Sequence, residues 1–259
     1  MSKSPSRSEG PMVLPRAFAL LRLLADTQQG LTLSAIATSL DVPKSSLSST
    51  LKALTDQGFL SRKGTLYYLG GEAYALASTI LAGRTIRQIA RPYLQQTMAL
   101  TGETVLLAQL DEDEKYVSYI DTVESGKSIR FSAPIAARRG LFCSAPGHVF
   151  LAHMGDRQRE AYYRDIRLEK MTAATPTDRI ELERILNDTR NRGVSVTMGV
   201  YSEDAAGFAA PIYNSDGNLV AAVTIGMPLA RAAREPEKYV EAVFKAGSDI
   251  SKVLGYSQG

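Results

Sequence analysis

Cysteine, histidine and tryptophan are nearly absent from this sequence. Its 259 residues include one cysteine, two histidines and no tryptophan. A single cysteine excludes an internal disulfide framework and any cysteine-based zinc site, and two histidines leave little material for a histidine-built metal centre. The composition therefore predicts a protein without a metal centre, suited to a reducing cytoplasm. The sequence also has no phosphate loop of the GxxxxGK type and no strand-borne GxGxxG, so we expect no cofactor.

Long apolar runs are also missing. The N-terminal segment MSKSPSRSEGPMVLP lacks the apolar core of a signal peptide. No apolar stretch approaches the roughly 18 residues that are needed to cross a bilayer. We therefore expect a soluble, cytoplasmic chain that has no membrane partner.

Charge is almost balanced over the whole chain but is unevenly distributed along it. The net charge is +3, and residues 1–84 hold nine basic and five acidic side chains, whereas the remainder holds 21 and 22. The length suits two domains, at roughly 100 to 200 residues each. The basic excess in the smaller part fits either an anionic partner or an ordinary solubility patch.

Three short helices are predicted near the N-terminus. After a polar, serine-rich leader at 1–11, which we expect to be disordered, apolar residues recur at helical spacing over 14–24, 32–40 and 44–58. The second helix ends before Pro43, because proline disfavours a helical residue in front of it. The short turn between the second and third helices is typical of a helix-turn-helix motif.

The solvent face of the third helix is rich in small hydroxyl side chains and lysines, and we assign Thr50 to this face. Hydroxyls let a helix lie deep in the major groove and bond phosphates or base edges, while lysines neutralise phosphates. The alternative is a serine-rich solvated face that binds nothing. A β-patterned hairpin at 59–69 follows and is expected to present two basic side chains to the DNA backbone. The predicted DNA contacts are Lys44, Ser45, Ser46, Ser48, Ser49, Lys52, Arg62 and Lys63.

The rest of the chain combines β-patterned segments with helices. We expect helices at 85–100, 145–153, 156–164, 177–192 and 235–254, and strands at 104–110, 116–123, 129–133, 194–200, 207–213 and 219–227. Thr175 and Pro176 are expected to begin the fourth of these helices as its N-cap and first-turn proline. Antiparallel strands flanked by helices predict an α+β domain with a curved sheet that holds a pocket.

The best pocket candidate is the segment 142–148, where a loop turns into a helix and Ser144 is placed as the N-cap. The first amides of a helix have no intrahelical partner, and together with the helix dipole they attract a carboxylate. An ordinary capped helix that binds nothing is the alternative.

Several of these motifs occur together in one known family. The run GLTLSAIATSLDVPKSSLSSTLKALTDQGFLSRKGTLYYLG, the segment ARPYLQQTMALTGETVLLAQLD, the element SAPGHVFLA and the segment DGNLVAAVTIGMP after AAPI have the order and spacing seen in the IclR family of bacterial transcription regulators. The chain resembles that family over nearly its whole length. The resemblance implies a winged helix-turn-helix at 12–70, a linker helix at 71–84 and a GAF-like effector-binding domain at 85–259. It also implies a homodimer or homotetramer that binds operator DNA and a small organic acid and represses a catabolic or transport operon.

The resemblance also assigns the effector pocket, residue by residue. The residues that it implies are Phe142, Ser144, Ala145, Pro146, Gly147, Thr197, Met198, Gly207, Phe208, Thr224 and Gly226. Members that bind small hydrophilic acids often present an acidic residue, a cysteine and serines at such positions. This roomier and less polar set, with Tyr201 nearby, predicts a bulkier acid that is partly apolar or aromatic. Ser48 and Ser49 replace the large polar or basic pair of many members, so we expect base contacts that are fewer or of a different type.

A catalytic alternative rests on Cys143 and His148. A thiol at a helix N-terminus with a histidine base is a pattern for nucleophilic catalysis, but no orienting acid is evident. A lone cysteine is more often a small buried apolar group, and His148 and His153 are five residues apart, which does not place them on one helical face for a metal. A regulator with no catalytic residue is therefore the preferred interpretation. The alternative is a small-molecule enzyme or sensor whose N-terminal domain serves assembly only.

Overall fold

The computed structural model describes residues 13–27, 29–82 and 85–257, so the leader expected at 1–11 lies outside the described residues. The chain divides into two compact units, residues 1–84 and 85–259. Each unit has a hydrophobic core of its own. No helix among the described residues is long and apolar enough to cross a membrane.

The first unit combines helices with a small sheet. Its elements are α1 (Val13–Ala25), β1 (Leu31–Thr32), α2 (Leu33–Ser39), α3 (Lys44–Asp56), β2 (Leu60–Lys63), β3 (Leu66–Leu69) and α4 (Gly71–Ala82). The strands are antiparallel in the order β1-β3-β2, so the predicted hairpin forms the wing of a winged helix. The sequence reading missed β1, because two residues are too few to show an alternating pattern.

The core of the first unit is aliphatic and follows the predicted helical periodicity. Leu47 and Leu51 of α3 are buried, as their spacing of four residues requires. Thr50 is also buried, with 6% of its surface exposed, so its assignment to the solvent face was wrong. It lies three residues after Leu47 and therefore on the same side of the helix.

The second unit is a six-stranded sheet flanked by helices. Its helices are α5 (Ile86–Thr101), α6 (Ala145–His153), α7 (Asp156–Asp165), α8 (Arg179–Arg192), α9 (Leu229–Ala232) and α10 (Pro236–Val253). Its strands are β4 (Thr104–Leu110), β5 (Tyr116–Val123), β6 (Arg138–Gly140), β7 (Ser195–Met198), β8 (Ala205–Tyr213) and β9 (Leu219–Pro228). The strand order is β6-β5-β4-β9-β8-β7, and every neighbouring pair is antiparallel. The α+β class and the curved antiparallel sheet are confirmed.

The segment 129–133 is not a strand, which corrects the sequence prediction. The third strand on this side of the sheet is β6, which pairs with β5. The carbonyl of Phe131 accepts a hydrogen bond from Thr104 Oγ1 at 2.6 Å, and Lys127 forms an ion pair with the buried Glu103 at 2.7 Å. Contacts of this kind hold the segment between β5 and β6. Its alternation of apolar and polar residues arises because single side chains pack inward, and not because the segment pairs with a strand.

The start of α8 also differs from the prediction. Asp178 is the N-cap, and its Oδ1 accepts the Glu181 amide hydrogen at 2.9 Å. The hydroxyl of Thr175 instead donates to the carbonyl of Val200 at 2.7 Å. Thr175 and Pro176 therefore belong to the preceding loop, since a cap must lie next to the first helical turn.

The two faces of the large sheet pack against different helices, because successive strand residues point to opposite sides. One face packs against α5 and α10, and Phe208 contacts Tyr239 there with 5.5 Å between ring centroids. The other face carries α6, with Leu106, Ala209 and Ala222 in its core.

Helix α6 makes an unusually close backbone contact at Gly147. A Cβ atom on this glycine would lie 2.4 Å from the carbonyl oxygen of Leu141. Residues Leu141–Cys143 form a single 3-10 turn that leads into α6. The absence of a side chain at Gly147 therefore lets this turn fold back against the helix.

We expect Gly147→Ala to destabilise the second unit by about 1–3 kcal/mol or more, since overpacking a buried site against backbone cannot be relieved by a rotamer change. Helix propensity alone would make the alanine variant more stable, so a loss of stability can be attributed to the steric contact. The measurement is chemical denaturation of the full chain followed by circular dichroism. Gly126→Ala is the matched control, because a Cβ there meets no atom within 4 Å. Equal stability of the two variants would contradict the prediction.

His148 of α6 is a buried neutral imidazole. Only 1% of its surface is exposed, Nε2 donates to the Phe142 carbonyl at 2.8 Å, and Nδ1 lies 3.4 Å from Ser195 Oγ. Burial lowers the pKa of His148 to about 4 from an ordinary value of 6.5, and the bond to Phe142 offsets only part of that decrease.

The free energy of unfolding should fall as pH falls from 6.5 towards 4, because only the unfolded chain protonates this histidine in that interval. One such group contributes a slope of about 1.4 kcal/mol per pH unit. Equilibrium denaturation at several pH values measures it. His148→Gln retains a donor for Phe142 but cannot titrate, so its slope should be smaller by that amount. Identical slopes for the two proteins would show that His148 does not cause the dependence.

Candidate functional site

The predicted DNA-contacting residues of α3 lie together at the surface of the first unit. Ser46 is half-buried, and the other five residues are exposed, namely Lys44, Ser45, Ser48, Ser49 and Lys52. Ser49 Oγ donates to the Ser46 carbonyl at 3.4 Å, a long bond that an external acceptor can replace. The helix therefore presents hydroxyl groups between two cations.

The wing holds the other two predicted basic residues in position. Arg62 Nε donates to the Gly64 carbonyl at 2.9 Å, and the Arg62 guanidinium lies 5.5 Å from the centroid of the Tyr67 ring. Lys63 Nζ lies 5.7 Å from the centroid of the Tyr68 ring. Gly64 has a φ of +61° at the tip of the hairpin, a conformation that favours glycine. Both cations are exposed on the same short strand.

A cavity lies in the second unit at the N-terminus of α6, against the face of the sheet that carries this helix. The empty space inside it, counted together with its open mouth, is about 450 Å³. Seven of the eleven predicted effector residues line it, namely Ser144, Ala145, Pro146, Thr197, Gly207, Thr224 and Gly226.

Four predicted effector residues do not line this cavity. Met198 and Phe208 point to the opposite face of the sheet, since each follows a cavity-lining residue by one position in its strand. Gly147 packs against the Leu141 backbone, and Phe142 is buried in the core beside the cavity. For these four residues, the family resemblance indicated elements that border the cavity, but their side chains do not line it.

Two glycines shape the interior of the cavity. A Cβ on Gly226 would lie 2.5 Å from the ring of Phe131, and one on Gly207 would lie 2.9 Å from Thr197 Oγ1 and 3.2 Å from the Ala145 Cβ. Phe131 therefore covers the sheet at Gly226. A larger side chain at either glycine would have to displace these neighbours.

Several aromatic and basic lining residues were absent from the predicted set. They are Tyr119, Phe131, Arg139 and Tyr201. Of these four, the sequence pattern indicates only Tyr201, as a neighbour of the predicted site. Tyr119 follows the inward alternation of β5, a signal that was available in the sequence. Phe131 lies in the segment 129–133, for which the strand prediction is wrong, and that prediction gave no indication that Phe131 covers Gly226 of the sheet.

Some polar atoms at the α6 end of the cavity have hydrogen-bond partners within the protein, and others do not. Ser144 Oγ accepts the Gly147 amide hydrogen at 3.2 Å and donates to the Gly140 carbonyl at 2.8 Å, which confirms Ser144 as the N-cap. Thr197 Oγ1 donates to the Gly207 carbonyl at 3.3 Å. Thr224 Oγ1 is buried and has no hydrogen-bond partner among the described residues. A buried hydroxyl without a partner is costly, so Thr224 favours a ligand atom beside it.

Cys143 and His148 do not form a catalytic pair. Cys143 Sγ lies 3.6 Å from the Gly140 carbonyl oxygen, whereas the His148 ring contacts Phe142 and Ser195. Burial raises the pKa of the Cys143 thiol to about 11 despite the nearby charge of Arg139, so the nucleophilic thiolate is scarce at neutral pH. In the parts of the chain that the structure describes, no group of three potential metal ligands occurs.

Comparison with known proteins agrees with this architecture. Residues 78–252 match the model of the bacterial transcriptional regulator IclR C-terminal domain, and residues 13–64 match the IclR helix-turn-helix domain. The transcriptional repressor IclR of Escherichia coli strain K12 is 28% identical over 245 residues, which cover 93% of this chain and 89% of the repressor.

Two solved structures are similar over almost the whole chain. The Agrobacterium tumefaciens repressor BlcR has a TM-score of 0.85 and 25% identity, covering 97% of this chain and 100% of that one. An IclR homologue complexed with 4-hydroxybenzoate, from Microbacterium hydrocarbonoxydans, has a TM-score of 0.60 and 26% identity, with coverages of 95% and 100%. Because the family models account for both units, the enzyme interpretation is set aside, and the chain belongs to the IclR family of DNA-binding bacterial transcription regulators.

Proposed function

We propose that this protein represses a catabolic or transport operon and that a small aromatic carboxylic acid changes its affinity for operator DNA. The observation that supports DNA reading is the exposed α3 face, which presents hydroxyl groups between Lys44 and Lys52. In this proposal α3 enters the major groove, and Arg62 and Lys63 of the wing bind phosphates. Such a role places the protein in the cytoplasm with the chromosome.

We further propose that two copies of the chain read two half-sites, as a homodimer or as a homotetramer of paired dimers. Support comes from large apolar side chains that the first unit leaves in solvent. Leu14 and Phe18 of α1 are 68% and 63% exposed, and Tyr74 and Leu76 of α4 are 62% and 50% exposed. Leu14 and Phe18 are four residues apart and share one helical face, which a second copy would cover.

The effector site of the proposal is the cavity at the N-terminus of α6. The Ala145 amide lies in the first helical turn, which has no intrahelical acceptor, and Thr224 Oγ1 is a buried hydroxyl without a partner. Together they suit a carboxylate, while Phe131 and Val200 suit an aromatic body. The relative that was solved with 4-hydroxybenzoate supports this ligand class.

Coupling between the two sites requires that the acid bind the DNA-competent and DNA-incompetent arrangements with different affinity. We propose that residues 71–84, which connect the winged helix to the second unit, transmit this difference. Ligand binding then changes the spacing or the populations of paired reading helices.

Substitutions on α3 and on the wing should change DNA binding in different ways. Ser48→Ala combined with Ser49→Ala should alter site preference, because hydroxyl contacts to base edges are lost. Arg62→Ala should weaken binding to all sequences and reduce the slope of log affinity against log salt by about 1, because one phosphate contact is lost. Fluorescence anisotropy with operator and scrambled duplexes at several salt concentrations measures both effects.

The matched control for Arg62 is Lys170→Ala, which removes an exposed cation from the second unit and should leave the salt slope unchanged. Wild-type affinity and site preference in both the serine and the arginine variants would contradict the proposed DNA interface.

Thr224→Val should weaken binding of an aromatic carboxylate roughly tenfold, the usual effect of losing a hydrogen bond to a charged group. Stability should be unchanged or slightly higher, because the valine removes a buried hydroxyl that has no partner. Calorimetric titration with 4-hydroxybenzoate and thermal unfolding measure the two quantities.

Thr122→Val is the matched control, since Thr122 Oγ1 is also buried without a partner among the described residues but does not line the cavity. It should leave ligand affinity unchanged. Equal affinity of the wild type and Thr224→Val would remove Thr224 from the effector site.

A further inference from the structure

Arg139 places a positive charge in the wall of the effector cavity. Its guanidinium lies 4.6 Å from the centroid of the Tyr201 ring and 5.9 Å from that of Tyr119, and all three side chains line the cavity. Nη1 donates to the Arg138 carbonyl at 2.9 Å, which leaves other donors of the guanidinium for a ligand. Arg139 is half-buried, so its charge is partly removed from solvent.

The adjacent Arg138, on the same strand, forms ion pairs with two carboxylates. Its Nε and Nη2 atoms lie 2.5 Å from carboxylate oxygens of Asp111 and Asp113. Arg139 has no acidic partner among the described residues, and successive residues of β6 point to opposite sides. A half-buried guanidinium without a carboxylate is an anion-binding group, since bidentate pairing with a carboxylate is the geometry that guanidinium favours.

The same cavity therefore holds two separate groups that favour anions. One is the N-terminus of α6 with the free hydroxyl of Thr224, and the other is Arg139. The wall also contains the apolar side chains of Phe131, Ala145 and Val200. A ligand that satisfies all of these groups has an apolar, planar body and an acidic group at each of two positions.

We propose that Arg139 binds a second acidic group of the effector, so that the preferred ligand is an aromatic dicarboxylate. This inference rests on the proposed function, in which the first carboxylate lies at the N-terminus of α6. Tyr119 and Tyr201 position the guanidinium through cation–π contacts, which leave its edges available for a carboxylate. Arg139 lies on β6 and Thr224 on β9, with β5 and β4 between them in the sheet, so the two anion-binding groups suit acidic groups at different positions of a ligand.

The test is calorimetric titration of the full chain with benzoate and with benzene-1,2-, 1,3- and 1,4-dicarboxylate. We expect at least one dicarboxylate isomer to bind roughly tenfold or more tightly than benzoate, the usual effect of an added charge-assisted hydrogen bond. Arg139→Gln should lower the affinity for that isomer to the level of benzoate while leaving the affinity for benzoate within about twofold.

Arg138→Gln is the matched control, because it removes a neighbouring arginine whose partners lie outside the cavity. It should retain the preference for the dicarboxylate. Thermal unfolding of both variants checks that the fold is intact, and Arg139→Lys, which keeps the charge, should restore part of the preference.

The outcomes separate this inference from the proposed function. Equal affinity of the wild type for benzoate and every dicarboxylate, or an equal loss of both affinities in Arg139→Gln, overturns the role of Arg139 and leaves the carboxylate site at α6 in place. Failure of the wild type to bind any of these acids overturns both proposals.

Discussion

The docking of α6 on the large sheet is the contact on which the second unit depends. Gly147 lets the turn at Leu141–Cys143 fold back against the helix, and Ser144 caps the helix by bonding both Gly147 and Gly140. These contacts direct the N-terminus of α6 at the sheet. Because Gly207 and Gly226 have no side chains there, the helix end borders a cavity where packed side chains would otherwise be.

The polar groups of this region follow from the same packing. Buried groups on the helix side are satisfied within the protein, as His148 and Ser144 show. Thr224 and Arg139, in contrast, face the cavity without a full set of partners among the described residues. Both groups line the same cavity, which is therefore suited to binding a ligand, since a ligand atom stabilises a polar group that lacks a partner.

The two units differ in the charge and in the kind of side chains that they present. The first presents short hydroxyl side chains and cations on an aliphatic three-helix core, with few acidic residues in its sequence to repel a polyanion. The second is nearly neutral overall, and one of its arginines, Arg139, lies in the wall of the cavity. The small net charge of the chain is therefore the sum of a basic DNA-binding part and a balanced effector-binding part.

Most of the elements could be predicted from periodicity and capping residues, because helix and strand patterns are local. They include α3, the wing, the capped α6 and most strands of the large sheet. Local patterns failed where tertiary partners intervened. Side-chain bonds hold Phe131 in a segment that alternates like a strand, and Asp178 replaces Thr175 as a cap. Only the folded sheet decided that Thr197 and Gly207 face the cavity while Met198 and Phe208 face the core. The fold also decided that Arg139 lines the same cavity. Which side of a strand meets α6 depends on long-range packing, and no short stretch of sequence contains that information.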